Sequence, residues 1–194
     1  MDRLYDNINT SGNLEIWKVH NDGQEELVFS DHNTIVSGLA AGMMSLFGGI
    51  HSNDIRDFQI RYFQIGGGSV DPVTEATVQL ASPFTSENYD PSSKASLVIS
   101  SVDIRLSNNT TATQDVVQIP WHHIKKVSPT SVLYTLVLDS DSANSLTLTE
   151  AGLFLRSPFQ VGATPTPVLA AYKTYPAIDK KQQFSLIFKW TIYF

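Results

Sequence analysis

The stretch FSLIFKWTIYF, residues 184–194, decides how the rest of the chain is read. Phe184, Leu186, Phe188, Trp190, Ile192 and Phe194 recur at every second position. Ser185, Lys189 and Thr191 occupy the alternate positions, with Ile187 and Tyr193 among them. A period of two is the signature of a strand with one face in a core. A helix would scatter these aromatics around its whole circumference.

Working back from this strand, the same grammar repeats. Runs at 57–65, 96–106, 115–121, 132–138, 145–155 and 168–175 have strand character. Segments rich in Ser, Asn, Asp and Pro separate them, as turns require. LEIWKV and ELVF, within 14–30, flank HNDGQ, and Asp22-Gly23 supplies the positive φ of a tight hairpin turn. One segment breaks the pattern. NTIVSGLAAGMMSLFGG, 33–49, predicts a helix over 34–48, capped by Asn33 or Thr34 and ended by Gly48-Gly49. It is apolar nearly all round, which predicts burial. The expected fold is mainly β: an antiparallel, jelly-roll-like β-sandwich with one buried helix near 34–48. We read 1–194 as a single domain, with an N-terminal hairpin in 1–33 and a long loop insert at 69–95.

Composition narrows the function. Of 194 residues, 42% are hydrophobic and only 16% charged, against about 25% in typical domains. The net charge of −6 argues against nucleic acid, which selects basic patches. Lys125-Lys126 and Lys180-Lys181 are the only basic pairs and read as solvated strand ends. With no cysteine there is no disulfide, thiolate nucleophile or Cys-based zinc site. No run reaches the ~18 apolar residues of a membrane span, and the first residues contain no apolar secretory core. The expectation is a soluble protein folding in the cytoplasm, with no nucleic-acid or membrane partner.

Candidate chemistry is sparse. GGGS at 66–69 lacks the Lys-Ser/Thr of a phosphate loop and reads as a turn. His122-His123, placed on a strand, would point to opposite faces and could not share one metal ion. Glu75, Asp103, Asp139 and Asp141 have no spacing that pairs them with Glu150 for glycoside hydrolysis. There is no Gly-x-Ser-x-Gly elbow. Glu150 therefore reads as a structural clamp. The small pair Ala151-Gly152 marks a bulge or a close approach, and the Glu150 carboxylate would accept freed backbone N–H groups there or pair with Lys180. No catalytic residue, cofactor or metal is expected.

TEAGLF (149–154), TYPAIDK (174–180) preceded by Ala171, and SLIFKWTIYF (185–194) together carry a family resemblance. Their order resembles the C-terminal signature of small virion structural proteins of tailed bacteriophages: Glu-x-Gly-Leu-Phe, then Tyr-Pro-x-Ile-x-Lys, then Trp-x-Ile-x-Phe. The helix at 34–48 and the glycine-rich turn followed by Pro72, Thr74 and Leu80 resemble its earlier part. The resemblance implies a non-enzymatic β-sandwich present in multiple copies, bound to other virion proteins, in a virion assembled in the host cytoplasm. The resemblance does not fix the place in the particle; a tail, baseplate or neck component is expected. The alternatives are a capsid decoration protein and a carbohydrate-binding module for host adsorption. Glu150, Gly152, Lys180 and Trp190 then have structural roles. Pro83, Phe84 and Tyr89 in the long loop, and Pro158 and Phe159 in the loop at 156–167, are the expected interface residues.

Overall fold

The computed structural model describes residues 10–48, 54–66, 117–156 and 167–194. The expected strand at 96–106, the insert at 69–95, and Pro83, Phe84, Tyr89, Pro158 and Phe159 lie outside the described residues.

Ten strands and one helix make up the described part. They are β1 (Ser11–His20), β2 (Glu25–His32), β3 (Thr34–Ile35), α1 (Ser37–Gly48), β4 (Ile60–Gly66), β5 (Val117–Gln118), β6 (Ile124–Ser128), β7 (Ser131–Leu138), β8 (Thr147–Leu155), β9 (Val168–Asp179) and β10 (Phe184–Tyr193). Short 3-10 turns cover Ile55–Phe58 and Trp121–His123. The β1–β2 turn has Gly23 at φ 84°, as the Asp22-Gly23 pair predicts. The strands form two packed antiparallel sheets, ordered β2-β1-β10-β7-β6 and β3-β9-β8-β4-β5. Early strands pair with late ones in a nested series: β1 with β10, β3 with β9, β4 with β8 and β6 with β7. That nesting is the jelly-roll-like element of a β-sandwich.

β10 lies at the centre of the first sheet. Leu14, Trp190 and Tyr134 stand side by side across β1, β10 and β7. Phe184, Leu186, Phe188, Trp190 and Ile192 all face the core, opposite Ile60, Phe63, Ile65, Leu153 and Leu155 of the second sheet. Phe194 departs from the expected alternation. It lies beyond β10, is exposed, and bonds through its N–H to Thr130 O at 2.8 Å. The sandwich rim is reached one residue pair before the sequence pattern ends.

The helix differs from expectation in start and burial. Thr34 and Ile35 pair with Tyr172 and Ala171 as β3, so α1 begins at Ser37. Asn33 is not its cap: its side chain is buried against Gly12 and donates to Thr34 O. Val36 and Leu39 are buried, whereas Met44, Leu46 and Phe47 are exposed. Among the described residues, the segment's apolar character is therefore only half used. Strand β4 also begins later than the 57–65 pattern suggested, because Ile55–Phe58 form a 3-10 turn capped by Asp54. Every residue of β4 is buried, so this strand is covered on both faces.

Candidate functional site

Glu150 sits on the face of the second sheet turned away from the main core. It pairs with Gly66 of β4 on one side and Thr174 of β9 on the other. Its side chain has no solvent exposure, and the Tyr172 hydroxyl donates to its Oε2 at 2.7 Å. The Tyr175 hydroxyl donates to its backbone carbonyl at 3.2 Å. Two glycines make the room. A Cβ on Gly66 would lie 2.3 Å from Glu150 Oε1, and one on Gly152 would lie 2.7 Å from Leu169 Cδ1. Gly152 is thus a space requirement and not a bulge. The register slips fall instead between Leu148 and Glu150 and between Leu153 and Phe154. Gln64, paired with Gly152, is also fully buried. The Glu150 carboxylate and the Tyr172 phenol form a buried pair whose hydrogen bond low dielectric strengthens, while the Gln64 amide makes no hydrogen bond among the described residues.

This geometry corrects the expected partners of Glu150. A tyrosine hydroxyl, not Lys180, meets the carboxylate. Glu150→Gln retains an oxygen for Tyr172 and is expected to lower stability modestly. Glu150→Ala strands a buried hydroxyl and should cost roughly 1–3 kcal/mol. Urea unfolding of both variants checks the order. Near-native stability of Glu150→Ala would show that the carboxylate's hydrogen bond contributes nothing.

Lys180 is fully buried elsewhere, beyond the end of β9. Its Nζ donates to Ser140 O at 3.1 Å, Asn144 Oδ1 at 3.3 Å and Lys181 O at 2.9 Å. Three donors meet three oxygens, and the ammonium fastens the β7–β8 loop to the β9–β10 turn. That loop holds Ala143 and Ser145 at positive φ, a conformation L residues adopt only under outside support. Burial lowers the Lys180 pKa to about 8, while Asp141 and Asp139 oppose the shift. Below pH 8 the lysine is charged in both states, and the desolvation cost is present in full. Between about 8 and 10.5 the folded state releases its proton first, so stability rises, by up to about 3 kcal/mol. Burial raises the Tyr134 pKa, which works against folding above about pH 10. Unfolding free energy should therefore climb from pH 8 to 10 in the native chain and stay flat in Lys180→Met. A flat native profile would contradict this assignment.

His122 and His123 lie in a 3-10 turn, so the strand argument that separated them does not apply. Their rings meet edge to face at 4.4 Å. His123 Nδ1 lies 3.1 Å from Thr135 O, and burial lowers its pKa, with His122 adding to the effect. Among the described residues no group of three or more His, Asp or Glu side chains is arranged to hold a metal ion. No described helix is long and apolar enough to cross a membrane. Lys125 and Lys126 are exposed on β6, as strand-surface charges should be.

Two features escaped sequence reasoning. Arg61 is buried within β4, its guanidinium hydrogen-bonded to Ile119 O and stacked 3.7 Å over the exposed Trp121 indole. The second is the outer side of α1, where Met44 is 59% exposed and Phe47 80%. The neighbouring 3-10 turn adds Ile55 at 68%. No charged residue occurs from 37 to 48. A solvated helix face normally carries charge, and that missing charge was the available signal. Comparison with protein-family models, curated proteins and solved structures finds no match to this chain. Two antiparallel sheets with one attached helix define its class, a β-sandwich.

Proposed function

We propose that this chain is a non-enzymatic structural protein of a bacteriophage virion, placed in the tail or baseplate and working through protein–protein assembly. The observation that carries the reading is the uncharged helix α1, which holds Met44, Leu46 and Phe47 out to solvent beside Ile55. Exposed apolar clusters of this kind serve interfaces. The sheet edges favour a helix-borne contact over strand addition. Edge strand β2 carries Glu25, Glu26 and Asp31, edge strand β6 carries Lys125 and Lys126, and edge strand β3 is two residues long. Charge and shortness both block edge pairing. The order of the TEAGLF, TYPAIDK and SLIFKWTIYF segments supports the virion setting.

The test compares the native chain with Phe47→Glu by sedimentation, alone and with particle components. The native chain should self-associate or co-sediment. The variant should stay monomeric with an unchanged melting temperature, because Phe47 contributes little to the chain's own core. A native chain that stays monomeric and ignores all particle components would sink the reading.

A further inference from the structure

A second surface feature is independent of the helix. From Leu148 to Glu150, strand β8 advances two residues, while β9 advances four between their partners Ile178 and Thr174. The surplus residues of β9 form a large bulge around Tyr175, Pro176 and Ala177. Proline is suited to such a site because it has no N–H to offer the ladder. The Tyr175 ring anchors the bulge, packing toward Phe29 at 5.8 Å and Phe188 at 6.3 Å.

Beside the bulge, where edge strand β2 approaches β9, an open cleft of about 440 Å³ appears. That volume lies within the roughly 300–1,000 Å³ of small-molecule sites. Asp31 and Lys173 line it, joined Nζ to Oδ2 at 2.6 Å. The Asp31 carboxylate is also held by the His32 N–H at 2.7 Å. Pro176 and Ala177 supply an exposed apolar wall. Thr149 lines the cleft too, and its buried hydroxyl has no hydrogen-bond partner among the described residues. One χ1 rotation exchanges that hydroxyl with the methyl group.

We propose that this cleft binds a single neutral sugar ring, with ring hydroxyls bonded to Asp31 and Lys173 and a C–H face laid on Pro176 and Ala177. A fixed carboxylate accepts from one hydroxyl while the ammonium donates to its neighbour, and vicinal hydroxyls present that pair of roles. The ion pair is internally balanced, so the lining attracts neither an anion nor a cation by net charge. Thr149 gains through the ligand the partner that the described residues do not give it. The inference does not depend on the assembly reading, since α1 forms no part of the cleft.

The experiment is protein-observed NMR titration of the whole chain with methyl glycosides of glucose, galactose and mannose, with N-acetylglucosamine, and with glucose 6-phosphate as the anionic comparison. At least one neutral sugar should produce saturable shifts at Thr149, Lys173 and Ala177. Asp31→Asn should weaken that binding roughly tenfold or more, the loss expected for one charge-assisted hydrogen bond. Ala177→Arg, which fills the cleft and competes for the Asp31 carboxylate, should abolish it with the melting temperature unchanged. No saturable shift with any neutral sugar overturns the proposal. So does tighter binding of the phosphate, or binding that survives Ala177→Arg.

Discussion

Trp190→Ala is expected to lower the unfolding free energy by about 3–5 kcal/mol, the usual cost of truncating a large core aromatic. The indole is 0% exposed and stands on the central strand of its sheet. Leu14 and Tyr134 flank it on β1 and β7, and Phe188 and Ile192 share its face of β10. A cavity there cannot close without moving three strands. The companion variant is Trp190→Phe. The indole Nε1 is buried without a hydrogen-bond partner among the described residues, so phenylalanine removes volume but no hydrogen bond to them. Its cost should be clearly smaller. Urea unfolding measures both. Near-native stability of Trp190→Ala would contradict the placement of β10.

Gly38→Ala is the second large effect, and its sign is unusual. In most helices alanine in place of glycine stabilises, by up to about 1 kcal/mol. Here the added Cβ would lie 2.1 Å from the Leu169 carbonyl oxygen and 2.8 Å from Val168 Cγ1. The backbone of β9 cannot turn aside as a side chain could. Helix α1 must therefore lift from the sheet, loosening the Val36 N–H bond to Ala170 O and the buried Leu39. A loss of about 1–3 kcal/mol is expected, as for other overpacked contacts. Hydrogen exchange should show lost protection in α1 while β7 and β10 keep theirs. A stabilised variant would show that the helix does not seat on β9 in this way.

Sequence reasoning reached the β-sandwich because the strands that decide it alternate plainly. β10 needs one face buried, and the β1–β2 turn needs the glycine it has. Pairing was not legible, since alternation says which face a residue takes and not which strand lies beside it. Glu150 is buried, as its place between apolar residues suggested, but its tyrosine partner was not legible. Tyr172 lies across the β8–β9 ladder from Gly152, and only register places its hydroxyl at the carboxylate. Lys180 has a long, flexible stem, and it folds onto its own loops instead. The half-exposed helix was misread for a different reason. Apolar composition reports that a face avoids water, and the covering surface can belong to another molecule. Arg61 and Gln64, polar residues inside the doubly covered β4, follow no sequence rule that would have placed them there.

The nested strand pairing has a consequence for how the fold is reached. β1 and β10 lie far apart along the chain, yet they make the central contact of the first sheet. Closing such a long loop costs entropy before any contact repays it, and topologies of this kind reach the native state in milliseconds to seconds. Until β10 arrives, the inner faces of β1 and β7 have no neighbour between them. Leu14, Ile16, Tyr134 and Leu136 are then open to other chains. The charged strands β2 and β6 lie on the outer flanks of this sheet, the sides where a wrong strand would otherwise add.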